Sequence, residues 1–372
     1  MKLNRLQLYD FRNYAHLEAD FVSGVNLILG ENAQGKTNLL EAIGYLSTGK
    51  SFRTARPQEL IRFGADFADL NAELFSQERE QTLRAVLFAA RRPRQLFIGG
   101  VKQKTAAGLS GLLTTVLFCP EELQVLKGGA AARRKLLDTA LCQLRPAYAQ
   151  ALGEYQKLLD SKSRILKDYH EHPSLLEPLP EFNYRMAQVG ALLIGYRARY
   201  LKKLDAAAAA YHREFSGGGE ALCLRYQTVS TVTDPFAGTK SVFEELLQHQ
   251  ERHYRAELES GQCLTGPHKD DFEATINDAS VRAYGSQGQT RTASISIKLA
   301  ERELFRQDTG EEPILLLDDV LSELDARRQD FVLNQIKTGQ VVITCCELER
   351  LTQLGKTMVI RGGQLLRTEG ER

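Results

Sequence analysis

Gly30-Glu31-Asn32-Ala33-Gln34-Gly35-Lys36-Thr37 is the segment on which the fold turns. It follows Val25 to Leu29, a nearly all-apolar run, and precedes Leu39, Leu40, Ala42, Ile43 and Leu46, which are spaced for a helix. A buried strand, a turn of the form G-x-x-x-x-G-K-[ST] and a helix together make the phosphate-cradling start of an α/β unit. Glycines let backbone N–H groups turn toward an anion with no Cβ in the way, and the helix N-terminus adds partial positive charge. Lys36 supplies a full charge, and the Thr37 hydroxyl is placed to ligate Mg²⁺. The segment therefore predicts a bound nucleoside triphosphate.

Working outward, a triphosphate site needs a metal-holding acid on a neighbouring strand. Ile314-Leu315-Leu316-Leu317-Asp318-Asp319 supplies one at the end of an apolar run. Asp318 is expected to hold Mg²⁺ with Thr37, and Asp319 to orient or deprotonate the attacking water while Lys36 meets the phosphates. Ser286-Gln287-Gly288-Gln289 lies about 30 residues upstream of that acid pair, just before a predicted helix, and Ser322-Glu323-Leu324-Asp325 follows the pair directly. Their order resembles the signature loop and D-loop of the ATP-binding-cassette superfamily. In that superfamily the signature loop faces a γ-phosphate bound by a second subunit, so two ATP molecules lie between two heads. The resemblance implies that Ser286 to Gln289, with Ser322 and Asp325, act in trans, and that ATP drives homodimerisation.

The rest of the 372-residue chain is compatible with this reading. Lys plus Arg is 48 against 47 for Asp plus Glu, so polyanion binding must come from a local patch and not from bulk charge. With 43% hydrophobic and 26% charged residues, the composition excludes disorder and collagen-like repeats. No apolar run approaches the roughly 20 residues of a spanning helix, and MKLNRLQLYDFRNY lacks a signal-peptide core, so a cytoplasmic protein without membrane contact is expected. The six cysteines show no C-x-x-C pair and read as free thiols. His249 and His253 miss the H-E-x-x-H order, so no metal other than Mg²⁺ is expected.

Strand-like alternation fills the first 118 residues around the one helix, helical periodicity runs from about Ala131 to Leu258, and the α/β pattern returns from about Gly266. The reading is a P-loop α/β fold of the cassette or SMC-like head type. Its discontinuous ATPase head spans 1–130 and 260–372, and a mainly helical second lobe is inserted at 131–259. Each flank of the head is expected to hold too few strands to close a sheet alone.

Several segments together resemble the RecF family, bacterial recombination-repair ATPases related to SMC heads. They are Leu8 to Tyr14, the P-loop, Phe118 to Leu123 with Arg133 to Asp138, Gly266-Pro267-His268-Lys269-Asp270-Asp271, Tyr284 to Gln289 and Leu317 to Asp325. The resemblance implies an ATP-dependent DNA-binding protein of repair, recombination, replication and the SOS response to DNA damage. It further implies dimerisation on DNA near gaps and help, with RecO and RecR, in loading RecA onto single strands. By the same resemblance Arg12 and Asn13 lie close to the nucleotide. Departures from the wider cassette pattern are Cys345 at the switch-histidine position, Glu121 near the Q-loop glutamine and Asp319 in place of glutamate; they predict a slow, DNA-stimulated ATPase that works as a switch.

Gln81 to Lys104 carries Arg84, Arg91, Arg92, Arg94, Lys102 and Lys104 with no acidic residue, so Arg91, Arg92, Arg94, Lys102 and Lys104 are the candidate contacts to double- or single-stranded DNA. A second candidate combines Arg197, Arg199, Lys202 and Lys203 with Lys127, Arg133, Arg134 and Lys135. No base-reading motif appears, so binding should be independent of sequence. The alternative reading is the ATPase subunit of a membrane transporter, which shares the Walker motifs but carries a shorter helical insertion and a switch histidine.

Overall fold

The computed structural model describes residues 1–90, 92–346 and 355–369. In chain order, β1 (Lys2–Phe11), β2 (Tyr14–Asp20) and β3 (Val25–Leu29) precede α1 (Lys36–Thr48). Then come β4 (Phe67–Ser76), β5 (Arg79–Phe88), β6 (Gln95–Ile98), β7 (Val101–Gln103) and β8 (Thr115–Phe118). The helical stretch holds α2 (Pro120–Leu123), α3 (Ala130–Leu144), α4 (Pro146–Asp168), α5 (Leu179–Ser216), β9 (Leu222–Gln227) and α6 (Thr239–Ser260). It is followed by β10 (Asp271–Ile276), β11 (Ala279–Ser280), α7 (Val281–Tyr284) and α8 (Gln287–Thr309). The chain closes with β12 (Ile314–Asp318), α9 (Ala326–Gln335), β13 (Val341–Cys345), β14 (Gly355–Arg361) and β15 (Gln364–Glu369).

The P-loop strand lies in a sheet of order β15-β14-β3-β13-β12-β8, in which all neighbours are parallel except β15 on β14. Its central strands read as unbroken apolar runs because both faces are covered. Ile314 and Leu316 of β12 point into one core with α1, whereas Leu315 and Leu317 point into the other with the helical stretch. Parallel β12 and β13 place Asp318 beside Thr344, and β3 beside β13 brings the P-loop to the same sheet end.

The expectation that residues 1–130 hold too few strands for a sheet is overturned. β2-β1-β4-β5-β6-β7 form an antiparallel sheet of their own. Two-residue turns close the β4–β5 and β6–β7 hairpins: Gln77 and Glu78 at φ 52° and 58°, and Gly99 and Gly100 at φ 55° and 78°. Such turns need positive φ at both central residues, which Gly-Gly signals and Gln-Glu does not.

α5 runs for 38 residues, about 57 Å at the α-helical rise, with the five alanines at 206–210 inside it. Gly217 ends it in the left-handed conformation. α8 packs along α5, and β9 pairs with β10, so strands on either side of residue 260 share one sheet. No helix among the described residues is long and apolar enough to cross a membrane.

Candidate functional site

β3 delivers Gly30 and α1 begins at Lys36, so the intervening loop is pinned at both ends. A Cβ on Gly30 would stand 2.4 Å from the Ile360 carbonyl oxygen. Gly35 sits at φ 117°, with room for no Cβ beside the Asn13 amide at 2.7 Å. The turn between β1 and β2 braces the loop: Tyr14 OH donates to Gly35 O at 2.7 Å, and Asn13 Nδ2 donates to Gln34 O at 2.9 Å. Asn38 on α1 donates to Asn13 Oδ1 at 2.8 Å, closing the brace.

Arg12 stands next to this turn but is committed elsewhere. Its guanidinium forks onto Glu41 at 2.8 Å through both Nε and Nη2, and Nη1 donates to Glu59 O at 2.8 Å. Glu41 lies on α1 with a fully buried side chain, where an unpaired carboxylate would be costly. Arg12 thus secures the P-loop helix from behind.

Lys36 Nζ donates to Gly30 O at 2.6 Å and Glu31 O at 3.1 Å, holding its ammonium in the mouth of the loop. Thr37 Oγ1 donates to Asp318 Oδ1 at 2.9 Å, and Thr344 Oγ1 donates to the same oxygen at 2.9 Å. Burial pushes the Asp318 carboxyl above its ordinary value and neighbouring Asp319 adds to this, while the two hydroxyls and Arg53 pull it down. Asp319 follows at φ 51°, its N–H donating to Thr344 Oγ1 at 2.9 Å. A non-glycine residue in that conformation marks a turn held by its surroundings. One hydroxyl and one carboxylate at the mouth of a phosphate cradle form the hard-oxygen donor set that Mg²⁺ prefers.

Two residues near the site escaped the sequence reading. Cys346, not Cys345, faces the P-loop: its Sγ lies 3.2 Å from Lys36 Nζ and 2.9 Å from Asn32 Oδ1. Cys345 is the last residue of β13 and buried, and burial pushes its thiol up to about 11. The offset arises because β13 extends one residue past Thr344. Arg53, in the loop after α1, donates to Asn38 Oδ1 at 2.7 Å and lies 3.5 Å from Glu41 Oε2. Only its sign, in a loop that follows the P-loop helix, marked it in the sequence.

Ser286 is the N-cap of α8. Its Oγ accepts from Gln289 N at 3.1 Å and its N–H donates to Gln289 Oε1 at 3.0 Å, a complete capping box. Ser322 Oγ donates to Asp319 O at 2.6 Å, and Asp325 caps α9 by accepting from Arg328 N at 2.9 Å. Among the described residues no hydrogen bond or ion pair joins Ser286–Gln289 to the P-loop.

The basic candidates divide. Arg91 lies outside the described residues. Arg94 turns inward, donating to Tyr45 OH at 3.0 Å and to the Gly49 carbonyl at the end of α1. Arg84 pairs with Asp69 on β4, a charge that the linear segment hides. Arg92, Lys102 and Lys104 remain exposed around β7. The second cluster splits: Arg133 is buried on Asp271 at 2.6 Å and Arg197 on Asp138 at 2.8 Å, whereas Arg199, Lys202 and Lys203 remain exposed on α5. Arg134 and Lys135 donate to the carbonyls of Asp270 and Phe52. These pairs tie Arg133–Asp138 to Gly266–Asp271, so both segments serve to join α3, α5 and β10.

A P-loop beside a parallel strand ending in Asp-Asp, with a capped signature helix and a D-loop, defines an ATP-binding-cassette ATPase head of the SMC type. The RecF/RecN/SMC N terminal domain family matches residues 2–362. The DNA replication and repair protein RecF of Staphylococcus epidermidis (strain ATCC 35984) is 39% identical over 354 residues, 94% of each chain. The protein of that name from Agathobacter rectalis is 36% identical over 370 residues, 98% of this chain and 99% of its own. The solved structure of the recombination mediator protein RecF-ATPrS in the RecFOR pathway superposes with a TM-score of 0.91 at 32% identity, covering 98% and 97% of the two chains. An SmcHead bound to the C-winged helix domain of ScpA, at 16% identity and a TM-score of 0.57, shares the fold. The chain belongs to the RecF family. Relatives named for DNA replication and repair do not favour the transport-ATPase alternative.

Proposed function

We propose that this chain is an ATP-gated DNA clamp of recombinational repair, hydrolysing ATP slowly and acting as a recombination mediator. The observation that carries this reading is a pair of complementary elements on one chain that no hydrogen bond or ion pair joins among the described residues: a phosphate cradle at Gly30–Thr37, and a capped helix N-terminus at Ser286–Gln289. A second copy docked across the triphosphate supplies the missing half, and loss of the γ-phosphate removes the contact that favours pairing.

Within the site, the P-loop amides and Lys36 hold the phosphates, Thr37 and Asp318 hold Mg²⁺, and Asp319 orients or deprotonates the attacking water. Mg²⁺, when bound, neutralises charge on the phosphate oxygens. Asn13 positions the P-loop, and Ser322 and Asp325 form the surface offered to the twin. Cys346 at the mouth supplies no imidazole and Asp319 is shorter than glutamate, which supports slow turnover. Arg92, Lys102 and Lys104 are the proposed contacts to DNA, read by charge and not by sequence. The head is assigned to 1–130 and 260–372, with 131–259 as the helical lobe. The relatives' place in the RecFOR pathway supports RecR, with RecO, as partners and RecA as the indirect beneficiary in the cytoplasm.

Light scattering of wild-type and Ser286→Arg protein, with and without ATP and DNA, tests the clamp. Wild type should double in mass with ATP, and the variant should bind ATP yet stay monomeric. A wild-type protein that stays monomeric with ATP and DNA overturns the reading.

A further inference from the structure

The segments assigned to the partner-facing surface are tied to each other by two arginines that cross in opposite directions. From α9, Arg328 Nη2 donates to Gly288 O in the signature loop at 3.0 Å. Its Nε and Nη2 also donate to Thr292 Oγ1 at 3.2 and 3.1 Å, and its Nη1 pairs with Asp325. From α8, Arg291 Nη1 donates to Glu323 O at 2.8 Å, and Nη2 to Glu323 Oε2 at 3.0 Å. One guanidinium therefore bridges the first turn of the signature helix and the cap of the D-loop helix, a two-directional reach that a planar fork permits.

The clasp is anchored to the long helix. Arg327 and Arg328 both lie over the Phe215 ring near the C-terminus of α5, at 5.7 and 5.8 Å from its centroid. Phe331 meets the same ring edge-on at 4.6 Å. On the other side, Gln289 Nε2 donates at 2.8 Å to Glu220, which also lies 3.0 Å from His212 of α5.

We propose that Arg328 is a positioning residue for ATP-dependent pairing: it holds the signature loop and the D-loop as one unit, so that both arrive at the partner's nucleotide in a single register. This rests on the two-headed reading given above. Arg328 acts through Gly288, Thr292 and Asp325.

The test compares wild type, Arg328→Ala and Arg328→Lys in the full chain, measuring ATP affinity at low protein concentration, thermal midpoint, and the dimer dissociation constant with ATP. Lysine keeps the charge and the pairing with Asp325 but cannot span to Gly288 O at the same time. Both variants should bind ATP as wild type does, and their dimers should dissociate roughly tenfold more readily, the size of one or two charge-assisted hydrogen bonds. Arg328→Lys, with an unchanged melting point, separates positioning from folding if the alanine variant is unstable. Wild-type dimerisation together with Arg328→Lys dimerisation of equal strength overturns this inference alone, whereas a wild type that never dimerises overturns the two-headed reading.

Discussion

Acidification should destabilise the chain at the join between α4 and the segment leading into β10, through one imidazole. His268 lies between β10 and the helical stretch, with Nδ1 2.8 Å from Tyr155 OH and Nε2 3.1 Å from Cys263 O. Neutral imidazole satisfies both partners, accepting from the phenol and donating to the carbonyl. Burial pulls its pKa from the ordinary 6.5 down to about 4; Lys269 and Arg134 act in the same direction, and Cys263 O and Glu257 against it. The folded chain therefore binds fewer protons than the unfolded chain below pH 6.5. The stability is complete above that value and is lost as pH falls toward 4. At 1.36 kcal/mol per unit, the full loss is about 3 kcal/mol, and about 2 kcal/mol falls between pH 7.5 and 5. Nearby Asp270 works in the opposite sense, because burial raises its pKa to about 6 and the folded chain gains a proton there as pH falls. The contribution of His268 is isolated by His268→Gln, which keeps a donor for Cys263 O and does not titrate. Urea unfolding of both proteins should show the wild-type stability, relative to the variant, declining by about 2 kcal/mol over that interval. A relative stability that stays level from pH 7.5 to 5 would refute the reasoning.

Asp319→Asn should retain ATP-dependent dimers while single-turnover hydrolysis slows by about 10²-fold or more, the usual contribution of a general base; undiminished phosphate release would remove Asp319 from the water-activating role. Replacing Arg92, Lys102 and Lys104 together by Ala should weaken duplex binding at every sequence tested and flatten the slope of log K against log salt by up to about 2.7. An unaltered slope would clear that edge of the sheet of any phosphate contact.

What the sequence made legible was the chemistry carried by residues close together along the chain. The P-loop, the acid pair behind four apolar residues and the Ser286–Gln289 segment before a helix each need only a few neighbours, and each lies on the expected element. Charges were misread where their partners came from afar. Arg133 and Asp271 are 138 residues apart, and Arg197 and Asp138 are 59 apart, so two arginines that looked like free surface charge in one dimension are paired and buried in three, while Arg199, Lys202 and Lys203 stay exposed. The same cause removed Arg84 and Arg94 from the supposed island. Cys346 and not Cys345 looks toward the P-loop for a different reason: side chains of a strand alternate faces, so Cys345 ends β13 buried and the next residue points the other way. The clasp between α8 and α9 was invisible because Arg328 and Gly288 are 40 residues apart and the acceptor is a backbone carbonyl that no side-chain pattern reveals. Long-range pairs of this kind set the spacing between α8 and α9, parts that local motifs only identify.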